Sequence, residues 1–202
     1  ASRTIYVDPY AKGDTTNYIT YDRKSFHKEG AAFECLVHGT KVTRQALPTG
    51  VEPMAGPNGA TLRSLRTAIA ATGEYTNFFR QMGDDDNQAK LRAYNQILIT
   101  MNRVNGIWGR DMAIRFVLLS QTTELSVIYP NPATDPYTNG ADANTNSTNN
   151  QTNLDATLGT ANYDIGHVFS IGSGGVGTGG VCQAGAQAAG ATATANPQGD
   201  PF

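Results

Sequence analysis

One amphipathic pattern constrains this chain more than any other feature. After Asp84-Asp85-Asp86, the residues Leu91, Tyr94, Leu98, Met101 and Asn105 recur at three- and four-residue spacing, and Ile97 and Val104 widen the stripe. The aspartates suit the positive end of a helix, and Asn105-Gly106 predicts its stop. Strand patterns lie on both sides. Residues 62–72 place Leu65, Thr67, Ile69 and Ala71 on one face, and residues 112–119 form a nearly continuous apolar run, as in a central strand. Residues 125–129 predict another strand, stopped by Pro130. Residues 131–150 read as a polar loop. A shorter helix follows with Leu154 and Leu158 one turn apart and Gly159 as its stop. Residues 165–171 predict a strand, 172–180 a glycine-rich hairpin or loop, and 191–195 a last short strand. The order β-α-β-β-α-β-β predicts an α/β (α+β) fold, a mixed twisted sheet with packed helices.

The N-terminal quarter has a different texture. Residues 4–7 and 18–21 are β-rich and separated by Asp8-Pro9 and Lys12-Gly13-Asp14 turn chemistry, and residues 33–37 predict a third strand. Residues 47–60, which carry three prolines and three glycines, read as a linker. The expected organisation is a small β segment over 1–46, a linker over 47–60 and the main domain over 61–202.

Composition narrows the function. Fifteen basic and seventeen acidic residues give a net charge of −2 with no basic run, which argues against nucleic acid as a main ligand. No stretch of 18 apolar residues occurs, so no membrane-spanning helix is expected. Charged residues make up only 16%, with Asn, Thr, Ser and Gly in their place, which leans towards a secreted or extracytoplasmic protein. Cys35 and Cys182 allow one disulfide or two free thiols.

No complete catalytic constellation appears in the residue pattern. Gly172-Ser173-Gly174-Gly175-Val176-Gly177 matches the spacing of a dinucleotide loop, but Thr178-Gly179-Gly180 is a poor helix start, so a glycine hairpin is expected. His27, His38 and His167 belong to no zinc-binding spacing, and His167 sits inside a predicted strand, where packing is its ordinary role. Asp84, Asp85 and Asp86 do not continue as a calcium loop. Asn146-Ser147-Thr148 and Asn150-Gln151-Thr152 are N-glycosylation sequons.

Several segments in register resemble one family. They are Ala70-Ala71-Thr72-Gly73-Glu74-Tyr75, Met101-Asn102-Arg103-Val104-Asn105-Gly106-Ile107, Ala161-Asn162-Tyr163-Asp164-Ile165-Gly166-His167-Val168-Phe169-Ser170, Gly180-Val181-Cys182 and Asn196-Pro197-Gln198-Gly199-Asp200-Pro201-Phe202. Together they resemble the bacterial reprolysin-like (adamalysin-type) zinc metallopeptidases of the metzincin clan, over residues 61–202 and more loosely over 4–37. The resemblance implies a metzincin-like sheet preceded by a propeptide-like β segment, and a secreted zinc endopeptidase made as a zymogen. It implies a peptide or protein substrate that adds as a strand to an edge formed by Gly174, Gly175, Val176, Gly177, Thr178, Gly179, Gly180 and Val181. Glycines there would let a substrate backbone approach closely.

This sequence departs from the family at the chemistry. The H-E-x-x-H-x-x-G-x-x-H helix and the Met-turn do not occur in it. The resemblance therefore implies the N-terminal part of a peptidase, inactive alone, whose zinc ligands lie on the C-terminal remainder of the same polypeptide. It also implies that the partner of Cys182 lies there. Cys35 falls in the propeptide-like region, where a thiolate can ligate zinc, although Phe33-Glu34-Cys35-Leu36-Val37 does not match the usual switch wording. The rival reading is a non-enzymatic extracellular binding or adhesion domain.

Overall fold

The computed structural model describes residues 5–9, 16–22, 25, 61–138, 140–177, 180 and 182–198. Cys35, His27, His38, the third N-terminal strand, the linker and the segment from 199 onward lie outside the described residues, as do Thr178, Gly179 and Val181.

At the N-terminus β1 (Ile5–Pro9) and β2 (Tyr18–Asp22) pair antiparallel, Ile5 opposite Asp22. The main domain is a five-stranded sheet of β3 (Arg63–Ala71), β4 (Ile114–Leu118), β5 (Ile165–Ser170), β6 (Ser173–Gly177) and β7 (Gly190–Thr194). The strand order is β4-β3-β5-β7-β6. All neighbours run parallel except β6, which pairs antiparallel with β7 and forms one edge. The mixed sheet expected from the element order is present.

Among the described residues four α-helices pack on it: α1 (Gly73–Phe79), α2 (Asp86–Met112), α3 (Gln121–Ser126) and α4 (Ala143–Thr157). The pleat of β3 divides the core. Ile69 and Ala71 face Tyr75 and Phe79 of α1 and Ala93, Ile97 and Met101 of α2. Ala68 and Ala70 join Leu154 of α4, Val168, Tyr163 and Ala191 in a second core. Burial on both faces is what two helical layers on a parallel sheet require.

The acids before α2 all act locally. Asp85 caps the helix and forms a capping box with Gln88 (2.8 Å in both directions), while Asp84 pairs with Arg92 and Asp86 with Arg80. The expected stop at Asn105-Gly106 is overturned, because α2 continues to Met112 and ends at Ala113 in the left-handed region (φ 53°). Asn105 instead stays helical and clasps β4: its side chain accepts from Phe116 N at 2.7 Å and donates to Phe116 O at 2.8 Å.

Three further expectations are corrected. The apolar run over 112–119 forms an edge strand, not a central one, with Arg115 and Val117 exposed. The strand expected over 125–129 is not formed: Leu125 and Ser126 end α3, and Ile128 then makes a single parallel bridge to Ala71. The polar loop over 131–150 ends early, because Asp142 caps α4 and helix begins at Ala143. Polar residues on that helix hid it: Asn146, Asn150 and Asn153 are buried and hydrogen-bonded, so no apolar stripe marks its inner face.

Candidate functional site

The sheet edge at β6 is where the glycine-rich sequence falls. Ser173 opposes Thr194 and Gly177 opposes Gly190 across the β6–β7 ladder. Gly174 has φ of 100°, a conformation that glycine adopts without strain. Among the described residues no helix opens after this glycine run, so the dinucleotide spacing has no helix N-terminus behind it there. Gly174, Gly175 and Val176 are buried, Ser173 and Gly177 exposed, and a parallel bridge from Asp142 reaches Ser173. Of the proposed edge residues, Gly174, Gly175, Val176 and Gly177 lie in β6, Gly180 follows in a loop against Ala186, and the other three are outside the described residues.

The connection from β6 to β7 is braced from α4. Asn150 Nδ2 donates to Ala188 O at 2.8 Å, and Ala188 N donates to Gln151 Oε1 at 2.6 Å. Gln187 Nε2 reaches Thr160 O and Tyr163 O at 2.7 and 2.8 Å. Behind the helix, Tyr137 OH donates to Asn150 Oδ1 at 2.9 Å and Tyr129 OH to Asn153 Oδ1 at 2.6 Å. Burial raises both phenols well above their ordinary range, so they stay protonated donors. Sequence reading assigned none of these amides; their polarity pointed to a loop. Asn146 and Asn150, the acceptors of the two sequons, are fully buried, which excludes them as glycosylation sites in the folded chain.

The remaining candidates are not gathered into a catalytic group. His167 is half-buried on β5 with Nε2 2.8 Å from Thr192 Oγ1, and desolvation lowers its pKa to about 4, so it is a neutral packed side chain. Cys182 is free and exposed, with its amide donating to Asp164 O at 2.8 Å. Asp164 is held well below the usual carboxylate range by the Arg66 guanidinium, 2.7 Å away. Among the described residues no group of three or more His, Cys, Asp and Glu side chains could hold a metal ion. They do not fit zinc, and no hydrolytic step can be assigned to them.

A mixed sheet with one antiparallel edge strand and helices on both faces is a metzincin-like architecture. The metallo-peptidase family M12B, reprolysin-like, matches residues 61–202, and the chain belongs to that family. Its members are zinc-dependent peptidases, whose substrates are peptides or proteins. No curated protein and no solved structure matches the chain. Among the described residues no helix is long and apolar enough to cross a membrane.

Proposed function

We propose that this chain forms the substrate-side part of a secreted zinc endopeptidase made as a zymogen. Residues 61–202 supply the sheet of the catalytic domain, residues 1–46 a propeptide-like segment and residues 47–60 the link between them. The substrate backbone pairs along β6 as an added strand, over Gly174 to Val181. The zinc ligands and the glutamate base come from the C-terminal remainder of the same polypeptide, and Cys35 is the candidate thiolate for holding the zymogen inactive. The observation that carries the reading is the place of β6: an antiparallel, glycine-rich edge strand in a chain of this family.

Two measurements test it. The purified 202-residue chain with excess zinc should give no peptide hydrolysis, since no H-E-x-x-H occurs in it. Native mass spectrometry of the active material from the source should show a species heavier than 21.5 kDa carrying one zinc. Zinc-dependent cleavage by the pure chain would refute the division of labour. A zinc-free source species of 21.5 kDa that lacks peptidase activity would favour the binding-domain reading.

A further inference from the structure

Where β3 and β5 end side by side, three side-chain oxygens are shut off from solvent with no partner: Glu74 Oε2, Asn146 Oδ1 and Ser170 Oγ. Asn146 and Ser170 are wholly buried. Close contacts join the segments that carry them. Thr72 N–H donates to Phe169 O at 3.1 Å, which joins the strand end that carries Ser170 to the start of α1, whose second residue is Glu74. Gly140 lies against the Glu74 carboxyl group, so closely that any side chain there would collide with it. Asn146 Nδ2 donates to the carbonyl of that same Gly140 at 3.0 Å. Gly172, two residues past Ser170, is pressed against Ala141 O and closes the circle.

A second carboxylate stands at the rim. Asp135 accepts from Gly73 N at 2.7 Å and Tyr137 N at 3.0 Å, which uses one lone pair on each oxygen. Burial raises its pKa, and the nearby charge of Glu74 adds to the effect. No ion pair to Glu74 or Asp135 is present among the described residues. A buried water could donate to Glu74 and Asn146 and accept from Ser170, but it would leave both carboxylates without a counter-charge. A cation answers the orphaned oxygens and the charge together.

We propose that Glu74, Asn146 and Ser170, with Asp135 at the rim, bind a hard divalent cation of the calcium type. The donors are all oxygen, mixing carboxylate, amide and hydroxyl, which suits calcium and not zinc. Glu74 and Asp135 are part-exposed, so the ion has a way in. Once bound it ties the start of α1, Asp135, the first turn of α4 and the end of β5 to one point. That braces Asp142, which bridges to β6. The site stands whether or not the chain is part of a peptidase.

The test is calcium titration of the chelator-stripped 202-residue protein, followed by calorimetry and thermal melting, with magnesium in parallel. Saturable calcium binding is expected, with a rise in melting temperature of about 5–10 °C at a hundredfold excess over Kd. Glu74→Gln should weaken calcium binding at least ~10-fold while circular dichroism stays unchanged. Asn146→Asp adds a carboxylate of nearly the same shape, so it should lower the metal-free melting temperature and enlarge the calcium-dependent rise. Absence of saturable calcium binding to the parent chain at about 5 mM would overturn the proposal. So would unchanged calcium affinity in folded Glu74→Gln. If Glu74→Gln does not fold, Asn146→Asp decides: a larger calcium-dependent rise supports the site, and an equal or smaller one overturns it.

Discussion

Replacing Glu124 by Gln should expose a pH dependence of stability that the parent chain conceals. Glu124 is buried in α3, where its carboxylate accepts from Ile69 N at 3.0 Å and Leu119 N at 3.1 Å. Burial outweighs those two bonds and raises its pKa from 4.5 to about 7. The native state therefore keeps this proton up to about pH 7, while the unfolded chain releases it near 4.5. The associated stability is complete below pH 4.5 and is lost as pH rises towards 7. His167 acts in the opposite sense. Its pKa falls from 6.5 to about 4, so the unfolded chain takes up a proton that the native state refuses. That stability is complete above pH 6.5 and is lost as pH falls towards 4. At about 1.4 kcal/mol per pH unit, each window is worth about 3 kcal/mol. Between pH 4.5 and 6.5 the two slopes oppose each other and nearly cancel. In Glu124→Gln the histidine slope is no longer opposed by Glu124, so stability relative to the parent should rise by about 2 kcal/mol from pH 4.5 to 6.5. In His167→Asn it should fall by a similar amount. Urea unfolding across this range measures both, and with a slope of about 2 kcal/mol/M the midpoint moves by about 1 M. A stability difference between Glu124→Gln and the parent that stays constant with pH would refute the reasoning, since constant offsets from lost hydrogen bonds cannot produce a slope.

Two packing predictions accompany the zinc and calcium tests. Asp85→Ala removes the side-chain half of the capping box on α2, leaving the Asp85 N–H to Gln88 bond, and should cost about 1 kcal/mol in urea unfolding; an unchanged midpoint would show that the cap contributes nothing. Gly166→Ala places a methyl group 2.5 Å from Leu154 Cδ1 and 2.7 Å from Ala188 Cβ, and should cost about 1–3 kcal/mol. Leu154→Ala in the same chain should recover part of that loss, which a double-mutant cycle reads as favourable coupling.

The acids before α2 were legible because a helix start is a local event: the side chain of Asp85 meets an amide three residues away. The strands at 63–71, 165–170 and 190–194 were legible because burial between helical layers selects short apolar or small-residue runs. The glycine run was legible as a hairpin or loop because Thr178-Gly179-Gly180 is a poor helix start, and Ser173–Gly177 of it forms β6. The segment around Glu124 was not. Residues 125–129 carry β-rich side chains, yet Glu124 itself supplies the acceptor for Ile69 N and shares Leu119 N with Thr67 O of β3. Only the paired chain creates that demand. The first half of α4 was hidden for a related reason, because its buried face is bonded through amides instead of packed through methyl groups.

The candidate sites divide in the same way. Family membership and the position of the glycine-rich edge could be read from segments of sequence in register, since each motif is contiguous. The cluster of Glu74, Asp135, Asn146 and Ser170 could not, because its members lie up to about a hundred residues apart and none belongs to a spacing rule. What the sequence determined alone were the elements whose cause is local: caps, glycine conformations and apolar runs. What only the tertiary structure decided were the partners of buried polar groups. A buried acceptor must find a donor or a cation wherever the fold brings one, and that choice is not local.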